Sequence, residues 1–156
     1  MPVIFTTVIA SVVGTALTIH WAVRSIVLVT VQGLSMKPTL QNGDRVLVWR
    51  GRLPERGQIV VVQEPSIGAH IWPSEPAGLG CPDRHPSRQR WLIKRVAAIA
   101  GDPVLPGQLG GTHTPGERVP EGHYILLGDN PRVSLDSRQV GFFPCSRILG
   151  KVWRKI

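Results

Sequence analysis

Between Pro2 and Val23 the chain carries no Asp, Glu, Lys or Arg, and most positions are Val, Ile, Ala, Leu, Thr or Phe. A helix of that length rises roughly 30 Å at about 1.5 Å per residue, which matches the hydrocarbon core of a bilayer. The pattern predicts an N-terminal membrane anchor over residues 1–25. Trp21 and Arg24 sit at its far end, where an interfacial aromatic and a snorkelling cation belong. A cleavable secretory signal fits less well, because a charged n-region is missing and the apolar run exceeds the usual roughly 7–15 residues. Length and β-branched content disfavour a buried core helix, and His20 is the one awkward residue in the span.

Beyond the anchor the pattern changes to short apolar runs. Arg45–Trp49 alternates around Val46 and Val48, and Gln58–Val62, Trp91–Ala100, Tyr124–Leu127 and Ile148–Trp153 complete the set. Gly43-Asp44, Gly101-Asp102 and Gly128-Asp129 punctuate these runs with turn chemistry. Short strands with regular breaks predict a mainly β domain over 26–156, a barrel or a folded-over sheet. Residues 64–90, rich in Pro, Gly, Ser and Arg, read as a long surface loop, and roughly 103–122 as another. Neither is long enough to fold alone.

Composition adds two bounds. The formal net charge is +8, yet no stretch combines clustered cations with interleaved aromatics as nucleic-acid modules do. Beside an anchor, attraction to anionic headgroups is the simpler reading of that charge, so the expected partner is a lipid bilayer and not nucleic acid. The two cysteines, Cys81 and Cys145, permit a disulfide without requiring one. Cys81 with His85, or His113 with His123, lacks any paired metal-ligand spacing, so no metal is expected.

Ser35 lies in Gly33-Leu34-Ser35-Met36-Lys37-Pro38-Thr39-Leu40, some twelve residues past the end of the uncharged run at Val23 and so close to the membrane surface. By itself, a serine in such a stretch is an ordinary turn residue. Lys94 lies inside the apolar run Trp91-Leu92-Ile93-Lys94-Arg95-Val96. Successive strand residues face opposite ways, so one of Lys94 and Arg95 points inward unless the strand is exposed on both faces. A buried lysine loses its proton readily because desolvation disfavours the charged form, and a neutral lysine is a competent base for a serine hydroxyl. Arginine cannot do this. A third cluster, Gly128 to Gly141, offers hydroxyls and an Asp136/Arg138 pair, and read alone it is a polar loop of Asx and Ser turns.

Four segments in order resemble the sequence boxes of the type I signal peptidases, a family of Ser-Lys membrane proteases. Ser35 to Leu40 matches SMxPTL, and Gly43 to Val48 matches GDxVxV. Lys94 to Asp102 matches KRVxxxxGD, and Gly128 to Gly141 matches GDNxxxSxDSRxxG. The resemblance implies a compact catalytic domain of antiparallel sheets behind one transmembrane helix. The short connection from Asp102 to Gly128 leaves no room for a large second domain. It also implies Ser35 as nucleophile, Lys94 as general base and Ser134 as the hydroxyl that orients the lysine amine. Asp136 and Arg138 would be the supporting ion pair, in the box that Gly128 opens. Met36, Leu40 and Ile93 would line small apolar subsites, and no cofactor is implied.

The backbone N–H of Ser35 would donate to the oxyanion. Some members add a serine side chain two residues earlier, where this chain has Gly33, so the second donor is unassigned. The implied substrates are precursor proteins with cleavable signal peptides, cut after small residues at −1 and −3. The implied location is the cytoplasmic membrane, single-pass, with the catalytic domain outside the cytoplasm, or else the mitochondrial inner membrane. Arg24 and the cations after it favour the opposite orientation, but a domain of this size translocates regardless of charge.

Three other readings compete. A maturation protease dedicated to one precursor would use the same chemistry. A self-cleaving repressor-type Ser-Lys protease would need a DNA-binding module in place of the apolar run. A non-catalytic membrane scaffold would be expected to lose Ser35 or Lys94.

Overall fold

Valine-rich and alternating runs pair into seven strands of one sheet in a computed structural model that describes residues 25–65, 90–110 and 116–156. The strands are β1 (Ile26–Thr30), β2 (Arg45–Arg50), β3 (Ile59–Gln63), β4 (Trp91–Ile99), β5 (His123–Leu127), β6 (Phe143–Pro144) and β7 (Ile148–Lys155). Their order across the sheet is β1-β2-β7-β3-β4-β5-β6, and every pairing is antiparallel. The expected mainly β, antiparallel domain is therefore present. The predicted anchor lies outside the described residues except for Ser25, and only the ends of the predicted 64–90 loop are described, where Glu64 N–H donates to Arg90 O. No helix among the described residues is long and apolar enough to cross a membrane.

The centre of the sheet is covered on both faces. Val60 and Val62 belong to one buried cluster with Val96, Leu126, Phe143 and Ile148, whereas Val61 belongs to another with Met36, Leu40, Val46, Val48 and Ile93. Because adjacent strand residues point to opposite faces, this division requires a sheet that curls until each face meets a core. Bulges at Leu47/Val48, Val61/Val62 and Val96/Ala98 bend the strands and increase their local twist.

Two strands were not evident in the sequence. β1 is not among the runs that read as strands, yet it forms an edge strand that pairs Ile26 with Trp49 through to Thr30 with Arg45. β6 is two residues long and carries no periodicity. The Pro- and Gly-rich connection after Asp102 is also more ordered than composition suggests. Pro103 bridges Arg118, and Leu109 and Val119 are buried in a third cluster with Ala98 and Ile125. The only α-helix among the described residues, α1 (Ser137–Val140), is one short turn.

Candidate active site

Register decides which of the two neighbouring cations turns inward. Lys94 lies opposite Val60, and residues directly opposite in an antiparallel pair share a face, so it points toward the cluster of Val60 and Val96. Its side chain is 1% exposed. Arg95 faces the other way and reaches the surface, where Nε and Nη2 donate to the two carboxylate oxygens of Asp129 at 2.8 and 2.7 Å.

Lys94 Nζ is 3.1 Å from Ser35 Oγ. Burial is the main influence on this amine and lowers its pKa from 10.5 to about 8, with Arg138 acting in the same direction. The carboxylates of Asp136, Glu64 and Asp129 oppose that shift without reversing it. A lysine in this state has a substantial neutral fraction at mildly alkaline pH, which a base toward the serine hydroxyl requires.

Ser35 stands on the turn between β1 and β2, and the loop after β5 clamps that turn from outside. Asn130 N–H donates to Ser35 O at 2.9 Å, and Asn130 Nδ2 donates to Leu34 O at 3.2 Å. Thr39 Oγ1 donates to Asp129 Oδ2 at 2.5 Å and accepts from Arg95 Nη2 at 3.2 Å. Thr39, Arg95, Asp129 and Asn130 are thus structural members of the site that the sequence reading did not assign. Their one available signal was that each falls within the matched boxes. Gly33 N–H is occupied by Asn42 Oδ1 at 2.9 Å. Ser35 N–H donates to no acceptor among the described residues, so it is free to meet an oxyanion.

The Gly128–Gly141 segment is held by Asp136, which is 0% exposed. Its carboxylate accepts from Gly128 N–H at 2.9 Å, from Arg138 N–H at 3.1 Å and from Arg138 Nε at 2.9 Å. It is also the N-cap of α1 in a reciprocal capping box, with Gln139 Oε1 accepting from Asp136 N–H at 3.0 Å. Burial works to raise the Asp136 pKa, but the donors of Arg138 and Gly128 outweigh it and hold the carboxyl low. Ser134 is 6% exposed, and its Oγ makes no hydrogen bond of good geometry, although it lies near enough to Asp136 to help keep that carboxylate charged. Ser137 Oγ accepts from Leu126 N–H at 2.9 Å and ties α1 to β5.

Gly128 sits where no side chain fits. A Cβ there would lie 2.1 Å from Ser134 Oγ and 2.8 Å from Ser35 O. Gly128→Ala is expected to push these two segments apart, lowering stability by about 1–3 kcal/mol and most of the catalytic activity with it. Thermal denaturation alongside a cleavage assay checks this, and an alanine variant with wild-type activity would refute the close fit.

Met36, Leu40 and Ile93 are 1%, 4% and 9% exposed and pack in one cluster. They are core residues first, and Ile93 is the least covered of the three. Among the described residues no group of three His, Cys, Asp or Glu side chains is arranged to hold a metal. Cys81, His85 and His113 lie outside the described residues.

A family model described as "Signal peptidase, peptidase S26" matches residues 4–109 and 105–155. The chain is 30% identical over 141 residues to "Probable signal peptidase I-2" of Synechocystis sp., covering 76% of this chain and 57% of that protein. It is 32% identical over 130 residues to "Mitochondrial inner membrane protease subunit 1" of Mus musculus, covering 80% and 65%. It is 30% identical over 143 residues to "Thylakoidal processing peptidase 1, chloroplastic" of Arabidopsis thaliana, covering 78% and 39%. The matched regions therefore span less than two thirds of these relatives' own lengths.

Proposed function

The chain belongs to the signal peptidase family, peptidase S26, and on that premise we propose that it is a membrane-bound serine endopeptidase that removes signal or leader peptides from exported precursors. The observation that carries this reading is the 3.1 Å approach of Lys94 Nζ to Ser35 Oγ with the lysine buried. In the reactive state neutral Lys94 accepts the hydrogen bond of the Ser35 hydroxyl and takes its proton as Oγ attacks the scissile carbonyl. Lys94 then protonates the departing amine, and the acyl-enzyme is left on Ser35. Lys94 next draws a proton from water, which attacks the ester and releases the signal peptide. The free Ser35 N–H supports its role as an oxyanion donor.

Asp136 and Arg138 serve this reaction by fixing the segment from Gly128 to Ser134. A buried hydroxyl without a partner costs about 1–3 kcal/mol, so a hydrogen bond donated by the Lys94 amine to Ser134 Oγ would both relieve that cost and orient the base, leaving its lone pair for Ser35. Met36, Leu40 and Ile93 form the apolar floor under the subsites for small residues at −1 and −3, with Ile93 nearest the substrate. The name of the mitochondrial inner membrane relative supports a membrane setting. We place the domain on the extracytoplasmic side of a single N-terminal anchor.

The test uses the full chain in detergent and a precursor with Ala at −3 and −1. That precursor is expected to be cut, and the same precursor with Phe at −1 is expected to stay intact. Equal cleavage of both would end the small-residue reading. Because the base acts in its neutral form, kcat/KM is expected to rise about tenfold per pH unit below pH 8 and level off above it, following the lowered lysine pKa of about 8. A rate that is flat or falls between pH 6 and 8 would rule out neutral Lys94 as the base.

A further inference from the structure

The two neighbours of β7 cover it unequally. β2 pairs with β7 from Gly150 to Lys155, but the ladder with β3 runs only from Ile148 to Lys151. Among the described residues no strand pairs the β3 side of β7 beyond Lys151. Residues in an antiparallel ladder alternate the side to which their N–H and C=O point, so part of Val152–Lys155 presents unpaired backbone there. That edge opens into a cavity of about 460 Å³, bounded by Gln58 and Ile59 where β3 begins and by Thr39 and Leu40.

The rim of this notch is basic and partly apolar. Lys151 and Arg154 line it and have no ion-pair partner among the described residues, whereas Lys155 is held by Asp44 at 2.5 Å. Trp153, 57% exposed, adds an uncovered apolar face. A strand edge with free hydrogen-bonding groups is a template for a further strand, and flanking cations choose the sign of its side chains. The geometry points to a docking site for an extended acidic peptide, which adds as a short strand along β7 with its carboxylates on Lys151 and Arg154. Main-chain hydrogen bonds supply affinity in this mode, and alternate side chains supply selectivity. The site contains neither Ser35 nor Lys94, although Thr39 and Leu40 border both it and the active site, and it does not depend on the proposed protease activity.

The probe is a fluorescein-labelled peptide of alternating Glu and Val, titrated by anisotropy into the full chain in detergent. Saturable binding is expected, lost when alternate backbone nitrogens are methylated and absent when Lys replaces Glu. The double variant Lys151→Glu/Arg154→Glu is expected to weaken the Glu peptide by roughly tenfold or more and to gain binding of the Lys peptide. Both residues lie on a strand surface outside the catalytic group, so precursor cleavage should be unchanged in the double variant. No binding of the Glu peptide, or equal binding of its methylated form, would overturn strand addition. Unchanged affinity in the double variant would place the peptide elsewhere, and so would a raised KM for precursor cleavage in the presence of the peptide.

Discussion

Lys94→Met is expected to abolish cleavage and at the same time make the protein more stable. The activity loss should be on the order of 10⁴-fold or more, as for removal of the base from other serine nucleophile systems. Stability moves in the opposite direction because a charged ammonium is held in a site where it is 1% exposed. The folded-state pKa is about 8 against 10.5 for an unburied lysine. Below about pH 8 both states carry the proton, and the native state bears the whole cost, about 3 kcal/mol. Between these two pKa values the unfolded chain binds the proton and the native one does not, so native stability rises with pH.

The methionine variant should therefore melt about 6–12 °C higher at neutral pH. That advantage should fall to roughly half by pH 9.5 and vanish above the unfolded pKa. Ser35→Ala is the control, since it should lose comparable activity with little change in melting temperature. If the advantage of Lys94→Met were the same at pH 7 and 9.5, it would not come from the buried charge. Wild-type cleavage by either variant would remove the pair from the reaction.

Asp136→Ala should cause the largest loss of stability. Asp136 is fully buried, and its carboxylate is the acceptor for Gly128 N–H, Arg138 N–H and the Arg138 guanidinium. Removing it leaves a guanidinium without its counter-ion, a buried amide without an acceptor and a helix without its N-cap. Deleting one partner of such a pair costs about 3–5 kcal/mol, a large part of the roughly 5–15 kcal/mol that a domain has.

Asp136→Asn separates charge from shape, because asparagine is a good N-cap and can still accept a hydrogen bond. It should be less destabilised than the alanine variant. The Asp136 charge raises the Lys94 pKa, so its removal should move the rising limb of the pH–rate profile to lower pH. A melting temperature within a degree of wild type for Asp136→Ala, or an unmoved pH limb for Asp136→Asn, would contradict these roles.

Much of the architecture was legible because it rests on local signals. Five of the seven strands announce themselves as alternating or continuous apolar runs, and Gly-Asp pairs mark where the chain must turn. β1 was hidden because an exposed edge strand following a long apolar stretch has no contrast of its own, and β6 because two residues have no period. The ordered ribbon through Pro103 and Arg118 was hidden by its turn-like composition. Its order comes from Leu109 and Val119, which find a core only after β4 and β5 have paired.

The site divides in the same way. By itself the sequence determined that a serine on a turn, a lysine in an apolar strand and an Asp/Arg loop occur in the order and internal spacing of one family. It also determined that either Lys94 or Arg95 had to face inward if the strand was covered, since side chains alternate along a strand. Which of the two does so was decided by the register of β4 on β3, a pairing between residues far apart in sequence. The 3.1 Å approach to Ser35 depends in addition on the Asn130 clamp and on the room left by Gly128. Burial of the lysine, and with it the lowered pKa that its proposed role as base requires, belongs to no local segment. It exists only when the sheet has curled and closed water out of both of its faces.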